Sequence, residues 1–247
     1  MDLARNIRLV LSYDGSEFSG WQVQPGLRTI QETVENALKT ILKEKIRIHA
    51  AGRTDAGVHA FGQVAAFNTD SVILPDALLK AINSLLPADV AVTVIQDVGL
   101  NFHPRYSAKS KTYAYAINMS PVKNPLFSRY ALHIKHNLDI EAMENAAHFF
   151  LGEHDFASFM GVGTPVKSTV RTVMESAIFV RGDMLYYAIK GNGFLRHMVR
   201  NIVGTLLQVG KKKTDPSDIK RIIDSRNRAE AGPTAPPHGL YLISVEY

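Results

Sequence analysis

Residues 7–13 read Ile-Arg-Leu-Val-Leu-Ser-Tyr, and this stretch decides how the first half of the 247-residue chain is interpreted. The apolar side chains at positions 7, 9 and 11 and the tyrosine at position 13 fall on one face of an extended chain. A period of two over this length is typical of a strand with one face buried. The stretch therefore predicts a half-buried β-strand.

The segments after this strand predict the rest of an α+β unit. Thr29–Leu42 carries a helical apolar stripe, and Thr29 with Glu32 forms a capping-box pattern at its start. Periodicity indicates four more elements: strands at 46–50 and 63–67, a helix at 75–85 and a strand at 90–98. The resulting order β-α-β-β-α-β is that of the ferredoxin-like unit.

The second half of the chain repeats this theme with additional elements. Strand patterns occur at 111–117, 129–135, 173–180, 185–190 and 240–245, and helical patterns at 140–151, 194–209 and 215–224. We therefore predict an α+β protein with two ferredoxin-like (RRM-like) α/β-sandwich domains, residues 1–105 and 106–247. Their antiparallel sheets are expected to join across the middle, with helices flanking them.

Composition excludes several classes of protein. Hydrophobic residues make up 46% and charged residues 21%, which excludes a disordered or fibrous chain. The absence of cysteine excludes disulfides, thiolate metal sites and a cysteine nucleophile. No apolar run approaches the ~18 residues of a membrane-spanning helix. The start of the chain also lacks the pattern of a signal peptide, so we expect a cytoplasmic protein.

The positive charge of the chain is concentrated in its second half. The formal net charge is +5, yet residues 1–105 carry ten Lys/Arg against eleven Asp/Glu, whereas residues 106–247 carry eighteen against twelve. Such an excess suits a polyanionic partner such as nucleic acid. It is also compatible with an ordinary basic surface.

The most unusual stretch for chemistry is residues 51–60, Ala-Gly-Arg-Thr-Asp-Ala-Gly-Val-His-Ala. It lies between two predicted strands, and its glycines permit close backbone approaches. An arginine such as Arg53 can keep a nearby carboxylate such as Asp55 ionised, which suits a nucleophile or a general base. The competing interpretation is an Asp/Gly turn with a local ion pair, and spacing alone favours that interpretation slightly.

Other candidates also have two interpretations. Trp21 lies in the loop at residues 13–22, where packing is favoured over base stacking. Tyr113 and Tyr115 share a strand face, and they either stack a nucleobase or belong to the core, with the core favoured. Arg196 and Arg200 are four residues apart on a predicted helix, where they either extend along its surface to solvent or clamp a phosphate.

Patterns for metal or nucleotide cofactors are absent from the sequence. The nine histidines show no ligand spacing of the His-Glu-x-x-His kind. Glycine-rich dinucleotide-binding and Walker loops are also absent. We therefore expect no cofactor and no metal.

Taken together, the motifs resemble the tRNA pseudouridine synthase A family over nearly the whole chain. The resemblance rests on five segments: residues 13–22 (Tyr-Asp-Gly-Ser-Glu-Phe-Ser-Gly-Trp-Gln), 52–60 (Gly-Arg-Thr-Asp-Ala-Gly-Val-His-Ala), 102–113, 198–204 and 235–242. The second and fourth are the most specific, and all five occur in the family's order.

This resemblance implies an activity and a set of site residues. The family isomerises uridine to pseudouridine at positions 38, 39 and 40 of the tRNA anticodon stem-loop. It needs no cofactor and works as a homodimer whose two-domain subunits form a basic cleft. The family's catalytic aspartate falls on Asp55, its active-site tyrosine on Tyr113 and its active-site basic residue on Arg200. Arg53 would lie near the flipped-out nucleotide, and the predicted RNA contacts are Arg53, Tyr113, Arg171 and Arg196.

The chemistry fits a carboxylate, because C1′ becomes electron-poor as the glycosidic bond breaks. Asp55 could add to C1′, remove the 2′-proton or attack C6 of uracil, and the sequence does not choose among these routes. Arg200 is expected to pair with Asp55, and Tyr113 to stack on the uracil.

Three other functions remain open at this point. The first is a non-catalytic RNA-binding protein built from two RRM-like sheets. The second is a metal-dependent hydrolase that uses Asp14, Asp55 and His59. The third is a dimeric structural protein.

Overall fold

A computed structural model describes residues 5–135, 137–161, 163 and 166–247. The described strands are β1 (Arg5–Tyr13), β2 (His49–Ala50), β3 (His59–Thr69), β4 (Val90–Val98), β5 (Ser110–Asn118), β6 (Leu132–His133), β7 (Gly152–Asp155), β8 (Val170–Arg181), β9 (Met184–Gly191) and β10 (Leu240–Glu246). The described α-helices are α1 (Ile30–Leu42), α2 (Pro75–Leu85), α3 (Ile140–His148), α4 (Met198–Gly210) and α5 (Asp218–Ser225). The predicted α+β class is confirmed.

The chain divides into two compact units. Unit 1 contains the described residues up to Lys109 together with Tyr241–Tyr247, and unit 2 is Ser110–Leu240. These bounds differ from the predicted ranges 1–105 and 106–247 because the chain returns to unit 1 at its end. There β10 pairs in parallel with β3, with Tyr241 opposite His59 and Leu242 opposite Ala60.

Unit 1 is a sheet whose strands run in the order β4-β1-β3-β10, with the short β2 also paired to β3. The stretch at residues 7–13 lies in β1, which pairs antiparallel with both β3 and β4. Its predicted inner face is confirmed, since Ile7, Leu9 and Leu11 are each at most 1% exposed. Burying side chains of this size contributes ~1.5–3 kcal/mol each.

Helix α1 starts where the sequence predicts, but not by the predicted mechanism. Thr29 is the N-cap residue, yet its side chain makes no capping hydrogen bond. The first backbone N–H groups, of Ile30 and Gln31, donate instead to the carbonyls of Gly20 at 3.2 Å and Trp21 at 3.0 Å. The capping-box prediction is therefore wrong, because a neighbouring loop already satisfies the free N–H groups at this helix start.

The strands of unit 2 follow the order β5-β9-β8-β7, and β6 also pairs with β5. Strand β9 is antiparallel to both β5 and β8, whereas the short β6 pairs in parallel with β5. One face is covered by helices: the Ser176 hydroxyl on β8 donates to the Ala147 carbonyl of α3 at 2.8 Å. On the same inner face Tyr187 is 1% exposed, with its hydroxyl 2.9 Å from the Ser176 hydroxyl.

Helix α4 begins four residues later than the predicted start at Phe194. His197 has φ = +61°, a left-handed conformation that does not occur inside a right-handed helix, so α4 starts after this residue. The preceding carbonyl, of Arg196, accepts a hydrogen bond of 2.8 Å from the Gly161 N–H. Arg196 therefore lies outside the helix, and the prediction that Arg196 and Arg200 are one turn apart on its surface is wrong.

The remaining differences concern short elements. Two predicted strands shrink to the two-residue strands β2 and β6, and the last predicted helix begins at Asp218 rather than Asp215. Strand β7, which the sequence did not predict, forms by pairing with β8. Within the described ranges, no helix has both the length and the apolar character needed to cross a membrane.

Candidate active site

Two loops of unit 1, at residues 13–22 and 51–58, hold each other through their backbones. The Trp21 N–H donates to the Thr54 carbonyl at 3.0 Å. Gly20 has φ = +93°, and a Cβ added there would lie 2.8 Å from the same carbonyl. A side chain at position 20 would therefore force the loops apart as well as strain the backbone. The indole of Trp21 is 3% exposed, which confirms its predicted packing role.

A buried polar network fixes the residue before Asp55. The Thr54 hydroxyl lies 2.8 Å from the Tyr13 hydroxyl, and the Gln63 amide donates to the Gly52 carbonyl at 2.7 Å. Burial raises the pKa of Tyr13 to about 12. Tyr13 therefore stays protonated at neutral pH and acts as a hydrogen-bonding support rather than as a base.

Asp55 lies at the tip of the loop that these contacts hold. Its carbonyl accepts a hydrogen bond of 3.2 Å from the Val58 N–H, which closes a turn just before β3. The residue is partly exposed, and Arg53 on the same loop is exposed. The structure thus presents a carboxylate on a fixed backbone, which is the arrangement a positioned nucleophile or base needs.

His59 and Asp14, the other two residues of the metal-hydrolase hypothesis, support the loops. His59 Nδ1 lies 3.2 Å from both the Gly15 backbone nitrogen and an Asp14 oxygen. The same oxygen accepts hydrogen bonds from the backbone N–H and the hydroxyl of Ser16, at 2.9 and 2.6 Å. Among the described residues, no group of three or more His, Asp or Glu side chains is arranged to hold a metal ion.

In unit 2, Arg200 is fixed to the segment before the last strand. Its Nε donates to the Ala235 carbonyl at 2.7 Å, and the Ala235 N–H donates back to the Arg200 carbonyl at 3.0 Å. Arg200 lies in the first turn of α4 and is half-buried.

Tyr113 and Tyr115 both lie on the inner face of β5, with exposures of 8% and 0%. The Tyr115 hydroxyl donates to the Pro236 carbonyl at 2.7 Å, and burial raises its pKa. The ring of Tyr113 meets Phe194 edge to face at 5.2 Å. Neither tyrosine lies on an open sheet face. Stacking of the uracil on Tyr113 therefore requires the uracil to reach the buried face of β5.

The two further arginines differ in how they are held. Arg171 on β8 donates to the carbonyls of Ser168 and Val170, and it packs against the backbone of Gly193. Arg196 is exposed. Unit 2 therefore brings Arg171 near the 191–194 segment that also carries Phe194, the neighbour of Tyr113.

Comparison with known families covers most of the chain. A family model described as tRNA pseudouridine synthase matches residues 9–107 and 146–247. The chain belongs to the tRNA pseudouridine synthase family. The matched ranges contain Arg53, Asp55, Arg171, Arg196 and Arg200, whereas Tyr113 lies between them.

Curated relatives of this tRNA pseudouridine synthase are similar along nearly its whole length. A tRNA pseudouridine synthase A from Acetivibrio thermocellus is 44% identical, covering 98% of this chain and all of the relative. One from Geobacter sp. is also 44% identical, over 98% and 99% of the two chains. One from Shouchella clausii is 47% identical, over 96% and 91%. The family consists of isomerases, so the protein is an enzyme.

A solved structure of a Cbf5-Nop10-Gar1 complex gives a weaker comparison. It aligns with a TM-score of 0.32 and 16% identity, covering 81% of this chain and 54% of that chain.

Sequence reasoning missed several residues that support the site of this synthase. Gln63 is 0% exposed in the middle of a strand, and it links the loop to Tyr13. The available signal was a glutamine directly before the apolar run Val-Ala-Ala-Phe. An amide in such a buried strand needs a specific hydrogen-bond partner, which indicates a structural role. Phe194 gave no comparable signal, since an aromatic residue next to an apolar helix is most simply a core residue.

Proposed function

We propose that this enzyme isomerises uridine to pseudouridine in tRNA, with Asp55 as the catalytic carboxylate. The observation that carries the proposal is the fixed position of Asp55. Trp21 binds the Thr54 carbonyl just before it, and the Val58 N–H binds its own carbonyl. Tyr13 holds the Thr54 side chain, and Gln63 holds the base of the loop. Full-length similarity to enzymes named tRNA pseudouridine synthase A supports the substrate class.

The finer proposal concerns where on the RNA the enzyme acts. We assign the targets to positions 38, 39 and 40 of the anticodon stem-loop, and the site of action to the cytoplasm. Three adjacent targets imply recognition of RNA shape and backbone more than of particular bases. The exposed Arg53 and Arg196 and the partly exposed Arg171 are the proposed RNA contacts, because guanidinium groups pair well with phosphates.

The reaction moves one bond and needs no oxidant or energy source. The C1′–N1 bond breaks, the uracil turns, and a C5–C1′ bond forms, after which the C5 proton is lost and N1 gains one. Asp55 assists by adding to C1′, by taking the 2′-proton or by adding to C6. Arg200 pairs with the Asp55 carboxylate, and Tyr113 stacks on the uracil. Extruding the target base from its stack costs a few kcal/mol, which phosphate contacts elsewhere offset.

The test is pseudouridine formation on an unmodified tRNA transcript with uridines at positions 38 to 40. We expect product at those positions, mapped by carbodiimide treatment and primer extension. The matched control is the same transcript with cytidines at the three positions, which should give no product there. Product only elsewhere would contradict the anticodon-stem assignment. No product from any tRNA transcript would contradict the function.

We also propose that each unit is ferredoxin-like and that their sheets join. For unit 1, the support is the β4-β1-β3-β2 part of the strand order, with two helices between the strands.

We also propose that the protein forms a homodimer, and the outer face of the unit 2 strands supports this proposal. Phe179 is 51% exposed there and stacks on Tyr186 at 5.3 Å. Farther along the same face, Ala177 and Ala188 separate the rings from Glu175 and Lys190, which form an ion pair of 3.8 Å, so this part of the face consists of apolar side chains and a paired charge. Such a surface suits a protein partner better than RNA, and a second copy can present the same surface.

Phe179→Glu should therefore convert the dimer into a monomer, measured by sedimentation equilibrium. Val122→Glu is the matched control, because Val122 is 79% exposed and lies in a turn after β5. A wild-type monomer would refute the dimer. A dimer that persists in Phe179→Glu would place the interface elsewhere.

A further inference from the structure

Three aromatic rings form a stack where β10 pairs with β3 in unit 1. Tyr241 of β10 lies between His59 and Phe61 of β3. Its ring centroid is 4.8 Å from that of His59, with 21° between the planes, and 5.5 Å from that of Phe61, with 20°. Near-parallel rings at these spacings are the offset-stacked arrangement that aromatic groups prefer.

The two ends of this stack differ sharply in exposure. His59 is 2% exposed and directly follows the loop that carries Asp55. Phe61 is 64% exposed, although one side of its ring is covered by Tyr241. The other side of the Phe61 ring is therefore open to solvent, and the stack ends in a flat apolar surface.

The backbone holds this surface in place. Gly62 follows Phe61, and a Cβ added at Gly62 would overlap the Ile243 carbonyl of β10. Only glycine allows β3 and β10 to approach so closely here. The close approach keeps Phe61 against Tyr241, so the exposed ring is fixed before any partner binds, which lowers the entropy cost of binding.

We propose that the open side of Phe61 binds a second, unpaired nucleobase of the RNA substrate, as the fourth ring of the stack. This inference rests on the proposed function, which supplies an RNA with unpaired bases near the target uridine. The bound base is not the target, because the stack begins at His59 beside the Asp55 loop and opens at the opposite end. Every base has a flat π-face, so this contact tolerates any sequence.

The contact would give Phe61 a positioning role. A base held on Phe61 fixes the RNA relative to the backbone that carries Asp55, because both belong to the continuous segment from residue 51 to β3. The expected consequence is an effect on RNA affinity and KM with little effect on kcat. A group that touched the reacting uridine would change kcat instead.

Fluorescence of Phe61→Trp tests the stacking directly. Trp21 is the single native tryptophan and is buried, so wild-type protein supplies the background to be subtracted. Titration with the unmodified tRNA transcript should quench the new indole. Leu100→Trp is the matched control: Leu100 is 65% exposed but follows β4, at the sheet edge opposite β10. It should not be quenched.

Replacement of the ring tests its contribution. Phe61→Leu should raise both the Kd for tRNA and the KM by roughly 5- to 100-fold, as for other aromatic residues that stack on bases. Phe61→Tyr should restore both, which a purely structural role of an apolar side chain would not require. Leu100→Ala should leave both unchanged.

The outcomes separate this inference from the proposed function. If wild-type protein makes pseudouridine while Phe61→Leu binds and reacts like wild type, the stacking role is refuted and the function stands. Quenching of both tryptophan variants, or of neither, also refutes stacking at Phe61. If wild-type protein binds tRNA without forming pseudouridine, the proposed function fails, and quenching of Phe61→Trp alone would still support the stacking contact.

Discussion

Asp55→Asn should fold normally, bind the tRNA transcript and lose pseudouridine formation by about 10⁴-fold or more, as expected when an essential catalytic group is removed. Asparagine keeps the shape of aspartate but lacks the negative charge. The contacts that hold the loop use the backbone of Thr54 and Asp55 and the Thr54 hydroxyl. The substitution leaves these groups in place, so the fold is expected to persist.

Three measurements are needed on the Asp55→Asn protein. Single-turnover formation of pseudouridine gives the chemical rate, a filter-binding titration gives Kd, and thermal unfolding monitors the fold. Asp70→Asn is the matched control, because it makes the same change at an exposed residue just after β3. Turnover of Asp55→Asn within ten-fold of wild type would eliminate Asp55 as the catalytic carboxylate. A loss of binding equal to the loss of rate would make Asp55 a docking residue.

Strong local periodicity made most of the fold predictable. The predicted bounds of α2 and β4 agree with the structure, and β1 differs only by two residues at its start. In each case an alternating or helical apolar pattern coincides with the face that is buried. By contrast, Gly-Glu-His-Asp of β7 has no apolar pattern, and this strand exists because β8 offers it a partner.

The errors arose where a contact between distant residues decides local structure. The Gly161 N–H binds the Arg196 carbonyl, and His197 adopts a left-handed conformation, so α4 cannot start at Phe194. At α1, the carbonyls of Gly20 and Trp21 take the role expected of a capping side chain. Neither contact leaves a trace in the sequence beside the affected residues.

The candidate site shows the same division between local and distant information. Glycines around Arg-Thr-Asp indicated the Asp55 loop, because that pattern is local. The support from Tyr13 and the stack of Phe61 on Tyr241 could not be predicted, since each joins residues from different elements. Tyr241 follows Phe61 by 180 positions, and only the parallel pairing of β10 with β3 brings them together.

Arg200→Ala should lower kcat by about 10²-fold or more while changing Kd for tRNA only a few-fold. Losses of this size are typical when one preorganised charge-stabilising group is removed. The Nε of Arg200 donates to the Ala235 carbonyl at 2.7 Å, which restrains the guanidinium beside the first turn of α4. We propose that this guanidinium supplies the positive charge that pairs with the Asp55 carboxylate in the working enzyme.

Arg200→Lys separates charge from geometry at this position. Lysine keeps the positive charge but cannot bind Ala235 and a carboxylate with one planar group, so we expect only partial recovery of kcat. Lys220→Ala on the exposed face of α5 is the matched control for loss of one positive charge, and it should retain kcat. Thermal unfolding of each variant reports whether the Ala235 contact was needed for the fold. Equal losses of kcat/KM and of affinity, with kcat unchanged, would assign Arg200 to RNA binding instead of catalysis.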